Sequence, residues 1–270
     1  MRAALAYVAS TGRLADGGVE VEVEIEDGRA ADLPGWRECG FELVSPRPSA
    51  VTDWTDDDEI AAVHYAEAEA LARELTGCDV ALVSDHVKRV ASLEKRPREQ
   101  HPVRLVHSDF AADYADIIRY AYRDVRGRGA ATLARTGVTA DDIETAGRLV
   151  IFQLWRNLGA PKMDLPVAWC DNRTITPDEV RPFQYTGYVA GGRSFDALGV
   201  VAPADPDKHG WYTFPEMTAD EVVAFRTYDT ELVARNETWF TPHSAFRDPE
   251  VEPGRPARFS IELRVMCLWA

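Results

Sequence analysis

Lysine is nearly missing from this chain of 270 residues: four lysines stand beside twenty-six arginines, and the 30 basic residues are outweighed by 45 acidic ones for a net charge of −15. A binder of DNA or RNA needs a concentrated basic face to displace counterions, so this balance argues against nucleic acid as a partner. The acidity reads as plain solubility, and the arginine bias carries no functional claim. Cysteine is also sparse. Cys39, Cys78, Cys170 and Cys267 are scattered with no Cys-x-x-Cys spacing, which speaks against a zinc site or a disulfide framework and leaves reduced, mostly buried thiols. No run approaches the roughly 18 apolar residues of a membrane span. The amino-terminal Met1 to Ala9 makes a better strand than a signal peptide, so a cytoplasmic protein is expected. Internal repeats, low-complexity tracts and long Pro/Gly/Ser linkers are all absent, and the chain reads as a single domain over 1–270.

What is present can bury a core, with 46% hydrophobic and 28% charged residues. Val19, Val21, Val23 and Ile25 alternate with glutamates as a half-buried strand ending in an Asp27-Gly28 turn. Trp36 to Val44 reads as a further strand region. Asp56 to Gly77 is the clearest helix, with Asp56 and Glu59 fitting a capping box, Gly77 at C′, and Ile60, Val63, Ala66, Ala70, Leu71 and Leu75 as its apolar stripe. Strands follow at Asp79–Val83 and Val103–His107, with Glu94–Gln100 as a solvated loop between them. Helices are expected from Ala111 to about Arg126 and from Thr139 to near Gly147. Further strands are expected at Leu149–Trp155, Val167–Cys170, Ala197–Val201, Trp211–Phe214, Val222–Asp229 and Ala257–Leu268, with one helical turn at Thr176–Glu179. Many short strands with a few helices predict a mainly β fold, a sandwich or jelly roll buttressed by helices. In the last strand Phe259, Ile261, Leu263 and Val265 share one face. Arg258, Ser260, Glu262 and Arg264 share the other, which is either wet or lines a barrel that holds a polar ligand.

Chemistry centres on Val106-His107-Ser108-Asp109-Phe110. On an extended backbone His107 and Asp109 point to one side, as two arms of a 2-His-1-carboxylate iron triad would. Alone the pair is weak, since this composition yields His-x-Asp about 0.5 times by chance. The third arm is sought late in the chain, and His243 in Pro242-His243-Ser244-Ala245-Phe246 is the best candidate. His209 sits in a charged turn and is expected to be exposed, while His101 and His86 remain open for a different ligand scheme. Arg258, with Ser260 two residues on, offers a planar fork and a hydroxyl for a carboxylate. A strand-borne His-x-Asp, a distal His and a later Arg-x-Ser is the layout of non-haem iron oxygenases that use 2-oxoglutarate.

In these motifs the chain resembles the gibberellin desaturase / AsaB / CmcJ-type hydroxylase family of Fe(II)/2-oxoglutarate-dependent oxygenases. The likeness runs from about Trp36 to Arg264 through Gly40-Phe41-Glu42-Leu43-Val44, Glu74-Leu75-Thr76-Gly77, Asp85-His86, Val106–Phe110, Trp155-Arg156, Asp164–Ala168, Cys170–Arg173, Tyr228-Asp229-Thr230, Pro242–Pro249 and Arg258–Arg264. It implies a double-stranded β-helix (jelly roll) core over 103–270 with a helical insert at about 111–147, on which strands and a helix from 1–102 would rest. It also implies that His107, Asp109 and His243 hold Fe(II), and that Arg258 with Ser260 binds the distal carboxylate of 2-oxoglutarate. Arg156 matches a recurrent Trp-Arg and would either touch the co-substrate or substrate or form an ion pair with a carboxylate such as Asp171; Arg264 ranks as structural. The chain departs from the family at Ser108 and Phe110, where Asn and Tyr are common, which bears on pocket shape and not on ligands. A carboxylate at Asp109 argues against a halogenase.

The implied activity is hydroxylation or desaturation of a small intermediate of secondary metabolism by hydrogen abstraction, consuming 2-oxoglutarate and O2 and releasing succinate and CO2. Two competing classes are a metal-dependent isomerase or dioxygenase on the same barrel that needs no 2-oxoglutarate, and a non-catalytic binding protein in which the histidines are merely packed. Substrate identity is not readable from the residues, and an oligomer is left open.

Overall fold

A computed structural model describes residues 1–9, 18–90, 101–123, 125–126, 128–185, 195–253 and 256–270. The strands, in chain order, are β1 (Arg2–Tyr7), β2 (Val19–Asp27), β3 (Phe41–Val44), β4 (Val80–Val90), β5 (His107–Ser108), β6 (Arg148–Asn157), β7 (Val167–Cys170), β8 (Val180–Tyr185), β9 (Phe195–Val200), β10 (Trp211–Thr213), β11 (Val222–Asp229), β12 (His243–Ala245) and β13 (Phe259–Trp269). The helices are α1 (Trp36–Cys39), α2 (Asp57–Glu59), α3 (Tyr65–Thr76), α4 (Tyr114–Arg123), α5 (Arg128–Thr136), α6 (Ala140–Thr145) and α7 (Thr230–Arg235). The expected loop at Glu94–Gln100 lies outside the described residues. No described helix is long and apolar enough to cross a membrane.

Two sheets make the jelly roll. The larger runs β1-β2-β10-β7-β12-β5-β9-β8 and the smaller β3-β11-β6-β13-β4. The smaller sheet is buried on both faces, so its strands sort their side chains strictly by period two. Leu149, Ile151 and Trp155 of β6, with Met266 and Leu268 of β13, face inward toward the larger sheet. Val150, Phe152, Leu154, Ile261, Leu263, Val265 and Cys267 face outward and bury against α3. Each such fully buried large side chain contributes roughly 1.5–3 kcal/mol. The alternation read in the last strand is thus the observed one, and its polar face lines the interior.

The long helix departs from its expected face. Asp56 caps it through Asp58 and Glu59 N–H groups, and Gly77 closes it at φ +74°. Glu59, however, turns away to accept from Thr52 and Asp53, so the reciprocal half of the box is missing. Between α2 and α3 the residues Ile60–His64 form a π turn. Its extra residue per turn rotates everything after it, and the buried positions become His64, Tyr65, Ala68, Glu69, Leu71, Ala72 and Thr76. Ala66 and Ala70, expected in the stripe, are exposed.

Three other boundaries shift. Trp36–Cys39 is a helical turn closed by Gly40 at φ +91°, and only Phe41–Val44 extends as strand. Of the expected strand Val103–His107, only His107–Ser108 forms a ladder, with Leu105 bridging Ala6. Strand β4 runs on to Val90, past the expected end at Val83, because β13 pairs with it along its whole length. The helical insert comprises α4, α5 and α6, the last held by the Thr139–Asp142 capping box. Tyr228 of β11 ties the insert down, its hydroxyl donating to Ala112 O at 2.8 Å and accepting from Ala115 N at 3.2 Å.

Candidate metal centre

Strands β5 and β12 are very short and meet at a single register pair, His107 opposite His243. That pairing sets the two imidazoles 4.5 Å apart, centroid to centroid. Asp109 follows two residues after His107, and one ligand atom from each of His107, Asp109 and His243 lies within 4.8 Å of the others. The Nδ1 of His107 donates to Leu105 O at 2.7 Å, and the Nδ1 of His243 donates to Thr241 O at 3.0 Å. A carbonyl only accepts, so both rings carry their proton on Nδ1 and keep a lone pair on Nε2. The Nε2 of His107 faces Asp109 Oδ1 at 3.6 Å.

Asp109 is held from the opposite sheet. Its Oδ2 accepts from Arg264 Nε and Nη2 at 3.1 and 3.0 Å and from the Gln153 amide. Burial alone would raise this carboxyl, but Arg264, the two imidazoles and Gln153 outweigh it and hold the group well below the usual carboxylate range. Burial, then the neighbouring His243, pushes His107 down to about 4, so the imidazole is neutral and able to ligate.

Arg258 shares the same cavity, also walled by Trp155, Phe225 and Glu262. The guanidinium is 3% exposed. Its Nε donates to Ser260 Oγ at 2.8 Å and its Nη1 to Leu165 O at 3.1 Å, both neutral acceptors. Leu165 adopts φ +60°, an uncommon conformation for a branched side chain. Burial pulls Arg258 below its ordinary value, and the charge of Glu262 only partly opposes this. A buried cation bonded to neutral oxygens is a place for an anion. Two imidazole nitrogens and one carboxylate oxygen on one side of a cavity match the donor set that iron takes with positions left open, and the residues present therefore fit both iron and a keto acid.

The other residues singled out in the sequence are distributed as follows. Ser260 is buried and bonded to Arg258. Arg156 is not brought to the cluster: neighbouring residues of a strand face opposite ways, and with Trp155 inward Arg156 points out, donating to the carbonyls of Arg47 and Ala219. Asp171, its suggested partner, pairs with Arg173 instead. Arg264, ranked as structural, grips the candidate ligand Asp109. His209 is buried rather than exposed, bonded to Glu179 at 3.1 Å and stacked on Tyr7. His86 contacts Tyr65 and Asp57. Sequence reasoning missed Gln153, a polar residue inside the apolar run Leu149–Trp155, and that misfit was the available signal. It also missed Arg89, which closes the cavity floor by pairing with Glu262 at 2.8 Å.

Comparison with known proteins bears on the family and the fold. A family model described as "Oxidoreductase/YMDC permease-like domain" matches residues 10–268. The chain is 29% identical over 212 residues to the Fe(II)/2-oxoglutarate-dependent dioxygenase nvfI of Aspergillus novofumigatus, covering 77% of this chain and 68% of that one. It is 28% identical over 243 residues to the hydroxylase/desaturase efuI of Hormonema carpetanum, covering 85% and 77%. Hydroxylase/desaturase asaB of Aspergillus flavus is 26% identical over 187 residues, with 64% and 81% covered. Among solved structures, the iron and alpha-ketoglutarate-dependent endoperoxidase NvfI superposes over 100% of this chain and 98% of its own with a TM-score of 0.70 at 20% identity, a likeness of fold.

Proposed function

Because the chain belongs to this oxidoreductase family, with relatives named hydroxylase/desaturases and Fe(II)/2-oxoglutarate-dependent dioxygenases, we propose that it is a non-haem Fe(II)/2-oxoglutarate-dependent oxygenase that hydroxylates or desaturates a small molecule of secondary metabolism. The observation that carries this reading is the paired orientation of His107 and His243: both Nδ1 atoms are bonded to carbonyls, His107 Nε2 lies 3.6 Å from Asp109 Oδ1, and one ligand atom from each of the three residues lies within 4.8 Å of the others. His107, Asp109 and His243 are the metal ligands, and Arg258 binds the distal carboxylate of 2-oxoglutarate. Iron with 2-oxoglutarate and O2 supplies oxidation of a C–H bond, with succinate and CO2 released.

The chain's own residues bind, orient and exclude water. Arg264 and Gln153 occupy Oδ2 of Asp109, so the carboxylate would offer Oδ1 to the metal. Arg258 draws in a dianionic co-substrate and fixes its far end, aided by Ser260, which keeps the guanidinium plane from turning. Trp155, Trp169 and Phe225 wall the cavity with hydrocarbon, which strengthens every polar contact within it. The protein is a single oxygenase domain in this reading. A cytoplasmic location belongs to the same proposal, and its four free, buried cysteines are compatible with a reducing compartment.

The test is anaerobic loading with Fe(II) followed by 2-oxoglutarate. A visible metal-to-co-substrate absorption band, and succinate formed once O2 is admitted, are expected. Retention of iron by His107→Ala, measured by elemental analysis, would overturn the ligand assignment. An isomerase or dioxygenase that ignores 2-oxoglutarate would give metal binding with no band.

A further inference from the structure

A second cavity adjoins the metal centre: Glu262 lines both, and Phe110, next to Asp109 in the chain, and Arg264, bound to Asp109, line the second. Its own volume is about 160 Å³, between β4, β13 and helix α4, and Glu262 and the Asp109-bound Arg264 stand between it and the metal centre. Its walls are largely hydrocarbon, among them Leu82, Ile118, Ile151, Met266 and the stacked rings of Phe110 and Tyr114, 3.8 Å apart. A drug-sized molecule needs this space together with the adjoining cleft of about 600 Å³.

The charges around it are already committed. Arg264 is bound to Asp109 and lies 3.7 Å from Glu262, and Glu262 is paired with Arg89. Asp85, exposed at the mouth, adds negative charge. An anionic group entering here would lose its water, find no uncommitted cation among the described residues, and pass a carboxylate on the way. The cavity continues past Ser84, Asp85 and Val87 into a broader, more polar cleft reaching Lys88 and Arg135, which gives a larger molecule room to extend toward solvent.

We propose that this chamber is the substrate site, and that its occupant is an uncharged, hydrocarbon-rich small molecule, not an organic acid. The inference rests on iron binding at His107, Asp109 and His243, because only then does a molecule in the chamber lie beside the reacting centre. It divides the two ligands by charge: the dianionic co-substrate goes to Arg258, and the neutral substrate goes to the chamber. Arg264, its guanidinium 5.7 Å from the Phe110 ring centroid, is the partition between them.

The experiment titrates the protein with two probes sharing one ring system, a neutral steroid ketone and a bile-acid carboxylate. Binding is read by intrinsic fluorescence, on metal-free protein and on protein loaded anaerobically with Fe(II) and 2-oxoglutarate. The ketone is expected to bind at least about tenfold more tightly than the acid. Ile118→Glu, and the milder Tyr122→Ala at the chamber rim, should each weaken the ketone by about tenfold or more while iron content and the visible band stay unchanged. Phe214→Ala, in a separate cavity bordered by Trp155 and Trp169, should leave ketone binding unaltered. Equal affinity for the two probes, no binding of either, or sensitivity to Phe214→Ala in place of the chamber variants overturns the proposal. Failure of iron loading with intact ketone binding would instead count against the oxygenase reading alone.

Discussion

Arg264 and Gln153 stand directly opposite each other on β13 and β6, and both donate to the same atom, Oδ2 of Asp109. A cross-strand pair of the smaller sheet thereby fixes a carboxylate carried by the larger one. Replacing Arg264 by Met should weaken Fe(II) or Co(II) binding by roughly 10- to 100-fold, the usual scale for a partner of a metal ligand. The measurement is a metal titration followed by absorbance. Unchanged affinity would mean that Asp109 needs no help to present Oδ1.

Arg258→Met tests the opposite end of the cavity. Loss of one charged donor should cost about 2 kcal/mol of 2-oxoglutarate affinity, roughly 30-fold, with metal content unaltered. The variant removes a buried cation bonded only to neutral oxygens, so the empty protein should not become less stable in thermal melts. A drop in melting temperature without a change in 2-oxoglutarate affinity would recast Arg258 as structural.

Gly40 links the fold to the site. It sits at φ +91°, and a Cβ there would lie 2.3 Å from the Asn172 amide and 2.5 Å from Thr241 Oγ1. The carbonyl of Thr241 is the acceptor that orients His243. Gly40→Ala should therefore destabilise the protein by at least about 2 kcal/mol and loosen metal binding as well. Chemical denaturation and a metal titration on the same variant separate the two effects.

His64 gives a pH dependence away from the metal. It is buried on the π turn, with Nδ1 2.8 Å from Glu67 Oε2 and its ring edge-on to Trp54. Burial pushes it down to about 4, the Glu67 hydrogen bond opposing. The unfolded chain takes up this proton near the ordinary 6.5, before the folded one does. The stability contributed by neutral His64 is thus complete above that value and is lost as pH falls toward 4, by about 3 kcal/mol. Urea titrations from pH 7 to pH 4 should show the decline, and His64→Gln should flatten it over this window.

What the sequence revealed of the site follows from how local each signal is. His107-x-Asp109 and Arg258-x-Ser260 are spacings along one backbone, and both survive into the structure. The alternation in β13 is readable for the same reason: it puts Arg264 on one face with Arg258 and Ser260, while whether that face is wet or interior depends on the other strands. Arg156 fails by that very rule: a strand that turns Trp155 inward must turn its neighbour outward, so the motif Trp155-Arg156 could never place both in one cavity. Gln153 needed a cross-strand partner to be understood, and register between β6 and β13 is a long-range property. The face of α3 was misread because the π turn at Ile60–His64 leaves no mark in the residue pattern, yet it rotates every position that follows. His209 looked exposed in its charged turn, but Tyr7 and Glu179, both remote in sequence, cover it.

The pairing of β5 with β12, and the grip of β13 on Asp109, bear on when the protein becomes competent during its own synthesis. The first two candidate ligands emerge from the ribosome well before the third, and Arg258 and Arg264 emerge later still. A nascent chain that has exposed only β1 to β11 offers iron a histidine and an unsupported carboxylate, which is too little to retain it. Under the proposed function, iron capture would wait until β13 has threaded between β4 and β6, the cation proposed for the co-substrate would arrive with that same strand, and an unfinished chain would not consume oxygen.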